Sequence, residues 1–99
     1  IIAVANWPRP RREVFRTLLR ARAMENLSYV IGVNRVGEDP NRLVYSGDSV
    51  IIDPRGKALV EAEEGAEAVI TATLDYAPLQ DLRQKFPVWA DADPFLLQI

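Results

Sequence analysis

The sequence predicts an α/β fold built of α+β layers, and three observations carry that prediction. Two short apolar runs rich in β-branched residues, Ile1 to Ala5 and Tyr29 to Asn34, have the composition of buried strands. Between them, apolar residues recur at three- and four-residue steps, the period of an amphipathic helix. Beyond them, Asp53-Pro54-Arg55-Gly56 places Asp, Pro and Gly where a type I turn wants them, and so joins two further strands as a hairpin.

The elements follow in order. Ile1 to Ala5 is a strand, ended by Asn6-Trp7-Pro8-Arg9-Pro10, where each proline disfavours helix in the residue before it. A helix runs from about Arg11 to Asn26, with Val14, Phe15, Leu18, Leu19 and Ala23 as its apolar face and Glu13 favourable to its dipole. The second strand is Tyr29 to Asn34, and Gly32 within it marks a close neighbour. Arg35 to Leu43 is polar and rich in breakers, hence a loop. Val44 to Ile52 returns to strand character, interrupted at Ser46-Gly47-Asp48, and Lys57 to Val60 is the return strand after the turn. Glu61 to Gly65 reads as a solvated acidic loop. Ala68 to Leu74 alternates like a half-buried strand. Asp75 is a good N-cap for a helix from about Ala77 to Lys85, which Pro87 ends. Val88 to Ile99 is a tail whose Trp89, Phe95, Leu96 and Leu97 must dock on this chain or on a partner.

Residues 1–99 make one small unit. A net charge of −2 provides no electrostatic reason for a nucleic acid or an anionic membrane as partner, and no run approaches the roughly 20 apolar residues of a span. The early arginines lie on the helix, where such a run means a solvated face or ion pairs. The chain has no cysteine and no histidine. Thiolate chemistry, disulfides and the commonest metal ligands are therefore absent from it, and no metal or cofactor is expected. The opening residues lack the basic flank of a signal peptide, so a cytoplasmic setting is expected. A start in mid-strand without Met reads as a fragment.

Several segments, in this order and spacing, carry a resemblance. Asn6-Trp7-Pro8, then Leu18 to Asn26, then Tyr29-Val30-Ile31-Gly32-Val33-Asn34-Arg35-Val36-Gly37 are similar to the C-terminal third of nitrilase-superfamily carbon–nitrogen hydrolases. Tyr45-Ser46-Gly47-Asp48-Ser49, Ile52-Asp53-Pro54-Arg55-Gly56, Arg83, Phe86-Pro87 and Asp91 continue the match. The first and third segments look most like the omega-amidase-like branch. The resemblance implies the C-terminal part of an α-β-β-α sandwich. It also implies a Glu-Lys-Cys triad in which Cys attacks an amide carbonyl, Glu is general base and Lys stabilises the oxyanion. A thioester forms, ammonia leaves, and water releases the acid. All the triad positions lie upstream of Asn6, so no catalytic residue is assigned in this chain.

Asn6 and Trp7, at the end of a strand of the kind beside which ligands bind, are the candidate substrate-binding residues. Their alternative is structural: Trp7 packed under the helix and Asn6 capping the turn. Arg22 and Glu25 are expected, by the resemblance, to be a buried structural pair. Ser49, a serine with no histidine in the chain to activate it, and Tyr45 read as structural. Two functions remain open: part of an amidase acting on a small-molecule amide and completed by an N-terminal part outside this sequence, or a non-catalytic scaffold and dimerisation module. Through the family, the helix over residues 11–26 is expected to form a homodimer, its arginines meeting a partner's carboxylates.

Overall fold

The computed structural model describes residues 1–99. β1 (Ile2–Ala5) and β2 (Val30–Asn34) run parallel, with Ile2 opposite Ile31 and Ala5 opposite Asn34. A parallel pair requires a crossover. Here it consists of a 3-10 turn, Arg9–Arg11, and α1 (Arg12–Glu25). Pro10 falls in the first turn, where a missing N–H is tolerated. α1 ends at Asn26, and Leu27, in left-handed backbone with φ 42°, turns the chain back toward β2.

β3 (Val36–Glu38) and β4 (Val44–Ser46) form a separate two-stranded hairpin. β5 (Val50–Ile52) pairs antiparallel with β2, and β6 (Ala58–Glu61) with β5, giving the sheet order β1-β2-β5-β6. The Asp53 to Gly56 turn forms as expected. Asp53 Oδ1 accepts from the N–H groups of Arg55 and Lys57, and Gly56 takes φ 83°. α2 (Tyr76–Lys85) starts at Asp75, whose carboxylate accepts the Ala77 N–H. A second 3-10 turn, Val88–Asp91, leads into the tail.

α1 covers one face of the sheet. Phe15, Leu19 and Ala23 pack on Val30, Val50 and Ile52, with Ala3, Ala5, Trp7 and Ala58 at the margin. Fully burying side chains such as Val30 and Ile52 stabilises by about 1.5–3 kcal/mol each. Leu19 Cδ1 occupies the place a Cβ on Gly32 would take, which is the close neighbour the sequence implied. The opposite face carries Ile2, Ile31, Ile51 and Val60 in register across all the strands, with Val4 and Val33 in the next row. Within this chain that face is open at its β1 end, where Ile2 is 70% and Val4 80% exposed, while Ile51 farther across it is buried. The molecule is a slab of 47 × 40 × 17 Å, one helix layer on one sheet layer.

Four expectations change. Val14 and Leu18 do not join the buried stripe but face outward, because only residues stacked with Phe15, Leu19 and Ala23 meet the sheet. Arg35 to Leu43 is not wholly loop, since Val36–Glu38 pairs with β4. Ala68 to Leu74 forms no strand: alternation makes a strand only beside a partner, and none is adjacent. The tail residues Phe95, Leu96 and Leu97 dock nowhere on this chain and stand exposed.

Candidate functional site

The two parallel strands end side by side, and the residues that leave them are tied together. Asn34, last in β2, clamps the backbone of Trp7. Its Oδ1 accepts the Trp7 N–H at 2.8 Å, and its Nδ2 donates to the Trp7 carbonyl at 2.9 Å. Ser49, just before β5, clamps Asn34 in turn. Its Oγ accepts the Asn34 N–H at 3.0 Å and donates to the Asn34 carbonyl at 3.3 Å. A cleft of about 370 Å³ adjoins this clamp, with Asn34, Val36, Ser49 and Glu67 among its walls.

Of the two candidate substrate-binding residues, Asn6 is exposed immediately after β1. Trp7 is half-buried, its ring 5.6 Å from that of Phe15, with the Arg11 guanidinium 4.8 Å from its centroid. Its indole N–H donates to the Arg11 carbonyl at 2.7 Å. The ring therefore packs under the helix start, as the structural alternative supposed, while Asn6 makes no side-chain hydrogen bond that would cap the turn.

Arg22 and Glu25 do pair, at 2.7 Å, and Asn26 donates to both the Glu25 carboxylate and the Arg22 carbonyl. The expected burial is not found in this chain: the side chains are 54% and 48% exposed. They lie on a flank of α1 that no other element covers.

The buried charge lies elsewhere. Asp48 is 1% exposed, in the β4–β5 connection. Its carboxylate accepts Arg12 Nη2 at 2.5 Å, Arg12 Nε at 3.2 Å and Ser46 Oγ at 2.5 Å, with Arg16 Nη1 at 3.6 Å. Burial pushes its pKa up, but hydrogen bonds from Arg12 and Ser46 and the charges of Arg12 and Arg16 outweigh this and hold it below the ordinary value. Arg12 is raised correspondingly, chiefly by its hydrogen bond to Asp48. The acidic segment expected to be solvated takes part. Arg16 pairs with Glu61 at 2.6 Å, and Glu64 receives Arg12 at 2.7 Å and Arg9 at 3.0 Å. Arg16 thus has carboxylate partners within its own chain.

No group of acidic residues is arranged to hold a metal ion. No helix is long and apolar enough to cross a membrane. A buried carboxylate, paired arginines and a strand-end clamp can orient backbone, and the Ser46 and Ser49 hydroxyls are each engaged in that network.

A family profile described as carbon–nitrogen hydrolase matches residues 2–84. The chain belongs to that family.

Among carbon–nitrogen hydrolases, this one is 49% identical over 94 residues to Omega-amidase YafV of Escherichia coli, a match spanning 95% of this chain and 37% of that protein. It is 42% identical over 87 residues to 2-oxoglutaramate amidase of Paenarthrobacter nicotinovorans, covering 88% of this chain and 29% of that one. The crystal structure of XC1258 from Xanthomonas campestris, a CN-hydrolase superfamily protein, superimposes with a TM-score of 0.88 at 46% identity, over 98% of this chain and 37% of that one. The resemblance to nitrilase-superfamily hydrolases and the α/β fold both hold. The chain spans 37% of the length of the first of these relatives.

The Asp48 cluster and the Asn34 clamp were not found from sequence. Arginines at Arg12 and Arg16, one helical turn apart, were the available signal for the first.

Proposed function

We propose that this chain is the part of a small-molecule amidase that supplies the strand ends bordering the acyl pocket, together with a helix layer and a sheet layer of its scaffold. The Glu-Lys-Cys set that breaks the carbon–nitrogen bond sits on sequence outside these residues. The identity to proteins named omega-amidase and 2-oxoglutaramate amidase supports an ω-amide as substrate class. In this reading Asn6 presents a free amide at the pocket edge, and Trp7, clamped by Asn34 and packed on Phe15, holds that edge in place. Arg22 and Glu25 serve as a structural pair at the end of α1.

The observation that carries the division of labour is the absence of any cysteine in a chain of this family. Without a thiolate there is no group here to form the thioester. The bare β1 end of the sheet face, with Ile2, Val4 and Val33 exposed, supports a second sheet of the same domain as its cover. The outward patch of Val14 and Leu18 on α1 supports a homodimer through residues 11–26.

The purified 99-residue chain should release no ammonia from 2-oxoglutaramate above a buffer blank. The same residues joined to an upstream segment bearing the family's Cys should release it. Turnover by the chain alone that survives repurification would overturn the proposal.

A further inference from the structure

We propose that the Arg12–Asp48 pair is a positioning device for the strand end at Asn6 and Trp7, acting through Ser49 and Asn34. It rests on the reading that this strand end borders the acyl pocket.

The β4–β5 connection has an uncommon backbone. Gly47 has φ 74° and Asp48 φ 59°, two successive left-handed residues. A non-glycine residue in that region is unfavourable unless its surroundings hold it there. The surroundings do so through one side chain. The Asp48 carboxylate takes donors from Arg12 at the start of α1 and from Ser46 at the end of β4, so it bridges two elements and its own loop. Gly47 adds a steric limit, because a Cβ there would lie 2.8 Å from Val36 Cγ1. The loop cannot shift sideways without breaking one of these contacts.

Ser49 is the next residue, and its place follows from that of Asp48. Ser49 Oγ holds both the N–H and the carbonyl of Asn34, and the Asn34 side chain holds both the N–H and the carbonyl of Trp7. The route then closes on itself. Trp7 Nε1 donates to the Arg11 carbonyl, and the following residue is Arg12. The connector from Trp7 to Arg12 is therefore pinned at one end by Asn34, last in β2, and at the other by Asp48, just before β5, the two strands being neighbours in the sheet. Around the pair, Glu64 accepts from Arg12 and Arg9, and Glu61 pairs with Arg16, but none of these four side chains hydrogen-bonds the side chain of Ser49 or Asn34. A device of this kind specifies where Asn6 and Trp7 stand; it does not touch substrate.

The test reads site-resolved amide exchange and side-chain shifts by NMR in the 99-residue protein, which needs no turnover and so separates this proposal from the amidase reading. The probes are the Trp7 N–H and the Asn34 Nδ2 protons, with the Ile31 N–H, bonded to the Ile1 carbonyl at the opposite end of the β1–β2 pair, as the control. In Asp48→Asn the Trp7 and Asn34 probes should lose protection about tenfold more than Ile31, a local opening rather than global unfolding, and their resonances should move. Glu64→Gln removes the outer ion pairs only and should leave both probes in place. Should Asp48→Asn fail to fold, Arg12→Lys keeps the charge but loses the fork geometry and should give the same local pattern, more weakly. Equal loss at Trp7, Asn34 and Ile31 in these variants overturns the proposal, as does unchanged protection at Trp7 and Asn34.

Discussion

Asp48 keeps its charge in a position where burial alone would favour the neutral acid. That balance makes its contribution pH-dependent in a definite direction. Its pKa in the folded chain lies below the ordinary carboxylate value. Its stabilisation is therefore complete above the ordinary value of about 3.9 and fades as pH falls through that value toward the depressed one. At neutral pH, Asp48→Asn leaves Arg12 with Glu64 as its remaining anion, and the expected cost is about 1–3 kcal/mol, since Arg12 is itself partly solvated. The gap between the parent and Asp48→Asn in chemical-denaturation midpoint should be widest near pH 7 and should close toward pH 3. A gap that stays constant over that range would mean the charge plays no part. Asp39 is also held below the ordinary value, first by the Leu43 N–H, and will add to the acid limb of both proteins alike. None of this was legible in the sequence. Ser46-Gly47-Asp48 showed there only as an interruption of a strand, because the partner Arg12 is 36 residues away. The Asn34 clamp on Trp7 was hidden for the same reason, its ends lying 27 residues apart. Asn6 and Trp7 were legible as a strand end, with Trp7 packed under the helix as one of two readings; its contact with Phe15 was not.

At the scale of elements, local signals served well wherever one residue decides the geometry. Asp75 caps α2, the Asp-Pro-Arg-Gly turn forms, and Gly32 marks a close approach. They served poorly wherever a partner decides. The helical period grouped Val14 and Leu18 with Phe15 and Leu19, but the sheet is narrow enough that only one stripe is covered. Ala68 to Leu74 alternates correctly and still forms no strand, for want of a neighbour within the chain. The approach at Gly32 yields a quantitative expectation. A methyl group there would meet Leu19, which is 5% exposed and hemmed in by the core. Gly32→Ala must push α1 away from β2 or drive Leu19 off its rotamer, and overpacking of this kind costs about 1–3 kcal/mol. Thermal unfolding followed by circular dichroism should register the loss. Pairing Gly32→Ala with Leu19→Ala tests its origin: the two effects should be strongly non-additive, the second change relieving part of the first. Simple additivity would place the strain somewhere other than Leu19.

At the scale of the whole molecule, the layered part of the chain, apart from its exposed tail, presents two apolar surfaces that compete to explain how it meets anything else. One is the sheet face opposite α1, where Ile2 and Val4 are 70% and 80% exposed and Val4 stands in register with Val33. The other is the outward patch on α1, where Val14 and Leu18 are 43% and 44% exposed. Contiguous apolar area of the first kind is rarely left bare on a monomer. It is what remains when a sheet has only one of its faces covered. The α1 patch is smaller and flanked by the polar residues Glu13 and Thr17. In the 99-residue chain the sheet face should therefore dominate self-association and binding of an apolar fluorescent dye. Replacing the facing pair, Val4→Lys with Val33→Glu, puts opposite charges across the strands and preserves the ladder. It should lower both dye fluorescence and the mass seen by light scattering. Val14→Glu with Leu18→Glu should change the isolated chain little, and should release monomer only where the sheet is already covered, as in the proposed complete hydrolase. If the α1 variant disperses the isolated chain while the sheet variant does not, the helix is its principal contact surface. The open sheet face would then need another account than a missing layer of the same domain.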